Sequence, residues 1–259
     1  MRRVVLPVAV ILGLFGLWEL LARTGVLADL LDVNASVSDL LVPAPSQVAE
    51  SLWEDRELLA EHGWVTLKEI LVGVALSVVL GAAFAVAMHL SDTLRRAFYP
   101  LLVASQAIPI VAIAPVLVIW LGYGIGPKLA VIVLICFFPV TVNALDGLRS
   151  VDPAAIRMMR TLDAGRAAIL RRLELPAALP QFFSGAKVAV AVAAIGAVFG
   201  EYVSADEGLG FLIKQAQAQL LTARVFAAVA VLSAFAIGLF GLLSVLERRY
   251  AWWGPRGLT

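Results

Sequence analysis

Long apolar runs alternate along the chain with short polar segments, and the lengths of those runs decide what kind of protein it is. A helix that crosses a bilayer needs about 20 apolar residues at a rise of 1.5 Å each. Stretches of that kind run roughly over Val4–Leu21, Trp64–Leu90, Tyr99–Leu121, Lys128–Leu145, Phe182–Val203 and Phe226–Leu246. The pattern predicts an all-α, polytopic membrane protein with about six transmembrane helices in one domain over residues 1–259. Outer loops are expected at about 22–63 and 204–225, and a cytoplasmic loop at about 149–180. Val4–Leu21 exceeds the ~7–15 residues of a signal-peptide core, and no clear small-x-small cleavage site follows, so it reads as an uncleaved first span.

The polar segment Asp152–Pro180 interrupts this pattern most sharply. It holds Arg157, Arg160, Arg166, Arg171 and Arg172. Each arginine at a bilayer centre costs roughly 2.5–3.5 kcal/mol, so the segment stays in water. Apolar residues recur at helical spacing within it, at Ile156, Met159 and Leu162 and again at Ile169, Leu170 and Leu173. The spacing predicts two short amphipathic helices broken near Asp163-Ala164-Gly165, with Gly165 at a helix end. Leu175-Pro176 is expected to stop the second helix, and Leu179-Pro180 to open the next span. A charged helix pair held between two spans reads as a docking element for a cytoplasmic partner.

Orientation follows from Lys and Arg. With the N terminus inside, Arg2, Arg3, Arg95, Arg96, the arginine-rich loop, Arg248 and Arg249 all fall in the cytoplasm. Only Arg23, Arg56, Lys68, Lys128, Lys214 and Arg224 remain outside, scattered singly. The clustering predicts both termini cytoplasmic.

Several features inside and beside the spans bear on a pathway. Pro100, Pro109 and Pro115 lie in the third span, which predicts a kinked or unwound helix whose freed carbonyls need cover from protein or a cavity. Gln106 beside them either lines a pathway or bonds a neighbouring helix. In the fifth span Gly185, Ala189, Ala193 and Ala197 recur every four positions, and Gly196 and Gly200 form a second small face. Small residues let helices approach closely in lipid, here within the subunit or across a dimer. Glu201 stands about 19 residues beyond Phe182, roughly 28 Å up a helix, which places it at the outer interface as a candidate for an outer gate. In the first outer loop Ser46 is a candidate cap for a helix from Gln47 to Glu61, lying on the bilayer surface or binding a partner.

Composition agrees. The 259 residues are 61% hydrophobic, against about 45–50% apolar in a soluble domain, and the mean hydropathy is +0.94. The single cysteine, Cys136, lies in an apolar run, which rules out an intrachain disulfide and argues against a cysteine metal site. No G-x-x-x-x-G-K-[ST] loop for ATP and no H-E-x-x-H occurs. His62 and His89 are far apart, and no compact set of catalytic residues is visible. Neither a catalytic site, a metal site nor a cofactor of the chain's own is expected.

The arginine-rich segment resembles the cytoplasmic loop of permease subunits of bacterial ABC importers, which reads Glu-Ala-Ala, three residues, Gly, nine residues, Ile-x-Leu-Pro. The tail matches at Leu173-Glu174-Leu175-Pro176; Arg157-Met158-Met159 stands at Glu-Ala-Ala, and Asp163 at the Gly. Gln106-Ala107-Ile108-Pro109, Ala114-Pro115, Trp120-Leu121-Gly122-Tyr123-Gly124 and Lys128 also follow the family pattern. The resemblance implies the type I importer permease fold with a coupling-helix loop. Arg157, Met158, Met159, Thr161, Leu162, Asp163, Ala164, Gly165, Leu173, Leu175 and Pro176 would contact the ATPase. Gln106, Pro109, Pro115, Asn143, Glu201 and Tyr202 are candidates for the pathway. Implied partners are a second permease copy or paralogue, two ATPase subunits that bind ATP and Mg, an extracytoplasmic solute-binding protein and membrane lipid, with no nucleic acid. Thr66-Leu67-Lys68-Glu69, Cys136-Phe137-Phe138-Pro139 and Gly200-Glu201-Tyr202 most resemble permeases for thiamine-precursor pyrimidines in the bacterial inner membrane. Similar permeases carry sulfonates, nitrate or riboflavin. A secondary transporter or channel is the alternative of another class; broken helices in both halves would favour it.

Overall fold

The structure is a computed structural model, and it describes residues 2–24 and 41–253, without the side chains of 2–5, 7 and 8. The described residues form helices α1 (Arg2–Arg23), α2 (Pro45–Glu54), α3 (Arg56–Leu90), α4 (Asp92–Ser105), α5 (Ile110–Leu121), α6 (Ile125–Arg149), α7 (Pro153–Thr161), α8 (Arg166–Ser204), α9 (Leu209–Ala218) and α10 (Thr222–Tyr250). Among the described residues α3, α6, α8 and α10 are long and apolar enough to cross a membrane, and α4 with α5 makes a fifth if the bent pair is one span. The sequence expectation of about six thus meets four or five, with the 22-residue α1, part of whose side chains lie outside the described residues, as the remaining candidate.

The chain parts into two compact units. One comprises residues 1–65 and 207–232. In it Ser46 donates through its backbone N–H and its hydroxyl to Glu19 and accepts from Arg23. Ser46 therefore does not cap α2. The cap is Ala44, whose N–H donates to the side-chain oxygen of Gln47 at 2.8 Å, and Pro45 fills the first helical position, where no N–H is needed. That helix stops at Glu54 instead of running to Glu61, and the residues from Arg56 onward start α3. Asp55 at the junction accepts two hydrogen bonds from Arg224, at 2.7 and 2.8 Å. The Arg224 guanidinium holds the Asp55 carboxyl below the usual carboxylate range, against the opposing effect of partial burial.

The other unit comprises residues 66–206 and 233–259. Its core is the seam between α6 and α8, where Ile132, Cys136 and Val140 meet Ala189, Ala193 and Ala197, with Ile70 of α3 against both. The small residues of the fifth span are spent here, inside the subunit. A Cβ on Gly185 would stand 2.6 Å from the Pro139 carbonyl oxygen, and one on Gly200 would stand 3.0 Å from Lys128 Cα. Van der Waals contact between backbones replaces the hydrophobic drive that lipid cannot supply. Much of α10 is exposed, including Ile237, Leu242 and Val245, as suits a helix facing lipid.

The third predicted span is unwound rather than only kinked. It consists of two helices, α4 and α5, set at 105° to each other across Gln106–Pro109. Pro109 explains the position of the break, because it lacks an N–H and disfavours helical backbone at Ile108. Pro100 and Pro115 lie within their helices.

The expected stop at Leu175-Pro176 is also absent. Residues 166–204 form one 39-residue helix. Leu170–Glu174 is a π turn, and α-helical bonding resumes at Leu175. Pro176 then sits at the start of a fresh α register, where its missing N–H does little harm.

Candidate functional site

The arginine-rich segment folds into a short helix closed at both ends by its own sequence. Asp152 accepts from the Ala154 N–H at 2.7 Å, and Pro153 occupies the first helical position of α7. At the other end the Asp163 N–H donates to the Arg160 carbonyl and the Ala164 N–H to the Met159 carbonyl, both at 3.1 Å. This bond pair is the Schellman closure, which needs a left-handed residue just past the helix end. Asp163 is that residue, with φ 55°. Asp reaches this region more readily than most side chains, which accounts for Asp163 where the family motif has glycine. Gly165 does not end α7; with φ −67° it precedes α8 as its N-terminal flanking residue.

The helix turns its charged and apolar tip outward. Arg157, Arg160, Thr161 and Asp163 are exposed, and so are two apolar side chains, Met158 (64%) and Leu162 (73%). Ile156, Met159 and Ala164 are half-buried behind them. Thr161 donates to the Met158 carbonyl at 2.7 Å. Of the motif tail, Leu175 is exposed, Leu173 and Pro176 are half-buried, and Glu174 is buried. Glu174 accepts two bonds from Arg166 at 2.6 and 2.8 Å, and His89 Nε2 of α3 lies 3.0 Å away.

The pathway candidates fall into three places. Gln106 and Pro109 are exposed at the break between α4 and α5, and Pro115 is exposed within α5. Asn143 of α6 is half-buried, donates to the Pro139 carbonyl at 2.8 Å, and has its Cβ and Cγ near Gly185; its polar end is engaged within the packed seam. Glu201 is fully buried and accepts from the Thr66 hydroxyl at 2.6 Å; Tyr202 beside it is 38% exposed.

Sequence reading missed a second buried contact in the same unit. Lys128, the fourth residue of α6, donates to Glu69 of α3 at 2.7 Å, and both are buried. Glu69 Oε2 accepts no hydrogen bond. The available signal was a charged dipeptide, Lys68-Glu69, early in an otherwise apolar run. Among the described residues no three His, Cys, Asp or Glu side chains gather closely enough to hold a metal ion.

The segment is thus a capped helix between two spans with an exposed apolar tip. Comparison with known proteins identifies the family. Residues 77–252 match the family described as binding-protein-dependent transport system inner membrane component. A probable ABC transporter permease protein of Haemophilus influenzae is 37% identical over 96% of this chain and 98% of its own. The formylaminopyrimidine transport permease protein ThiX of Halalkalibacterium halodurans is 40% identical over 80% of this chain and 83% of its own. The riboflavin transport system permease protein RibX of Chloroflexus aurantiacus is 36% identical over 82% and 80%. In fold, the chain is similar to the inward-facing MetNI methionine ABC transporter, with TM-score 0.59 over 73% of this chain and 97% of that one at 18% identity. An amino acid ABC transporter gives 0.60 over 77% and 97%, also at 18% identity. The chain belongs to the binding-protein-dependent inner-membrane component family and is the membrane-spanning permease subunit of an ABC importer with the type I permease fold.

Proposed function

We propose that this permease carries a small neutral heterocycle, an aminopyrimidine thiamine precursor or a near relative, across the bacterial inner membrane. Both termini lie in the cytoplasm. A second copy or paralogue completes the pathway, a solute-binding protein delivers the cargo outside, and two ATPase subunits dock on Asp152–Gly165. The observation that carries docking is the exposed pair Met158 and Leu162 on a helix held rigid by caps at both ends. Apolar side chains surrounded by Arg157 and Arg160 suit a partner cleft with an apolar floor and an acidic rim. Closure of the ATPases on ATP then moves α7, and the spans move with it.

Support for a neutral cargo comes from charge. Lys128 is held by Glu69 at 2.7 Å and Lys187 by Glu247 at 2.8 Å, so neither offers an unpaired cation to a sulfonate or nitrate. Gln106, exposed at the break in the third span, offers both a donor and an acceptor without charge. The similarity to the formylaminopyrimidine permease of Halalkalibacterium halodurans points the same way. The test is uptake of radiolabelled aminopyrimidine into vesicles that hold the complete complex. Uptake of taurine, nitrate or riboflavin with none of the pyrimidine would refute the cargo and leave the permease assignment standing.

A further inference from the structure

The helix that leaves the docking turn begins at Arg166, and Arg166 grips Glu174 through both carboxylate oxygens, at 2.6 and 2.8 Å. In an unbroken α-helix the eighth residue on is rotated by about 80° from the first. The π turn at Leu170–Glu174 takes up an extra residue and brings Glu174 back to the face of Arg166. That turn therefore makes the contact possible. The same carboxylate stands 3.0 Å from His89 Nε2, next to last in α3. It also lines an open cavity of about 260 Å³ together with Asp92, Arg95, and Pro153 and Ile156 of α7.

Glu174 is 1% exposed. A carboxylate buried that deeply holds on to its partners, because parting from them strands an uncompensated charge. It is bonded to the first residue of α8 and stands 3.0 Å from His89 near the end of α3, where His89 Nε2 makes no hydrogen bond. It shares its cavity with Pro153 and Ile156 of α7.

We propose that Glu174, with Arg166 and His89, is the positioning contact that passes movement of the docked turn to α3. The proposal rests on the docking reading given above. It predicts residues needed for coupling rather than for docking. Arg166→Ala frees Glu174 from the first residue of α8, and Glu174→Gln removes the charge that faces both Arg166 and His89, while the exposed face of α7 stays as it is.

The experiment uses the permease purified with its ATPase subunits and reconstituted in vesicles. ATP hydrolysis is read with and without the solute-binding protein isolated, with its own solute, from the same cells. In Glu174→Gln and Arg166→Ala the ATPase subunits remain at wild-type stoichiometry and the unstimulated rate is kept. Acceleration by the binding protein falls on the order of tenfold, within the usual range of coupling between sites. Arg166→Lys keeps most of the acceleration, and the double variant is no worse than either single one, because both remove one shared contact. A purely structural contact would instead lower the amount of assembled complex and leave the acceleration per complex unchanged. Full acceleration in Glu174→Gln overturns the proposal. If that variant does not assemble, Arg166→Ala decides alone, since Arg166 is 44% exposed and its loss is survivable. Failure of the wild-type chain to hold any ATPase shows up first, in the copurification, and removes the docking reading and this proposal together.

Discussion

Thr66 and Glu201 are 135 residues apart in the chain, and the Thr66 hydroxyl donates to the Glu201 carboxylate at 2.6 Å with both side chains fully buried. The contact ties the N-terminal half of α3 to the C-terminal end of α8. Thr66→Val keeps the shape and removes the donor, which costs about 1–3 kcal/mol for a bond to a buried carboxylate. Thr66→Ser keeps the donor and costs less. Thermal unfolding of the purified permease in detergent checks the order. Equal melting temperatures for Val and Ser would mean that the hydroxyl contributes nothing.

Asp163 gives a second prediction, because its left-handed backbone and its side chain make separate demands. Asp163→Gly relieves the backbone and is expected to stabilise the turn by up to about 1 kcal/mol. Asp163→Val forces a β-branched residue into that region and destabilises it by more than the Gly gain. If the partner reads only the shape of the turn, the Gly variant copurifies with the ATPase as well as the native chain does, and the Val variant loses it. Binding that follows the Asp charge rather than the backbone would reverse the Gly result.

The hydropathy pattern made the spans legible because bilayer thickness sets their length. Asp152-Pro153 marked the start of α7 because a cap and an N-terminal proline act locally. Misreadings came where structure depends on partners distant in sequence or on backbone register. Pro176 looked like a helix stop, since nothing in Leu170–Glu174 announces a π turn. Glu201 was placed by its distance along a helix, which measures depth but not the face it occupies. Glu69 and Lys128 are 59 residues apart and on different helices, so no spacing rule joins them. The approach of Asn143 to Gly185 across the α6–α8 seam is likewise set by residues far apart in sequence.

The pair Asp55 and Arg224 predicts a pH dependence. Asp55 is held below its ordinary value, chiefly by the hydrogen bond from Arg224. A carboxylate depressed in the folded state contributes stability that is complete above its unfolded pKa, about 3.9, and is lost as pH falls through the lower folded value. Stability is therefore flat in this respect from neutral pH down to about 4 and declines below it. Asp55→Asn lowers stability at pH 7 and lacks this contribution to the acid decline. Parallel acid profiles for the two proteins, measured by loss of tryptophan fluorescence, would show that the pair does not govern it.

The last prediction concerns the α6–α8 seam, which packs α8 closely on α6 from Gly185 to Gly200. At Gly185 an added Cβ would meet the Pro139 carbonyl oxygen at 2.6 Å and the Asn143 Cβ at 2.7 Å. The first is backbone and the second is the root of a side chain, so neither can swing aside. Gly185→Ala must push the helices apart, at about 1–3 kcal/mol for overpacking, and this exceeds the ~1 kcal/mol that Ala returns as a better helix former. Gly126 in the first turn of the same α6 provides the control. A Cβ there meets only Leu121, at an ordinary 3.9 Å, so Gly126→Ala is neutral or mildly stabilising. The two variants share chemistry and differ only in surroundings. A lower melting temperature for Gly185→Ala alone supports the close seam, and equal melting temperatures would mean that α6 and α8 do not approach so closely at Gly185.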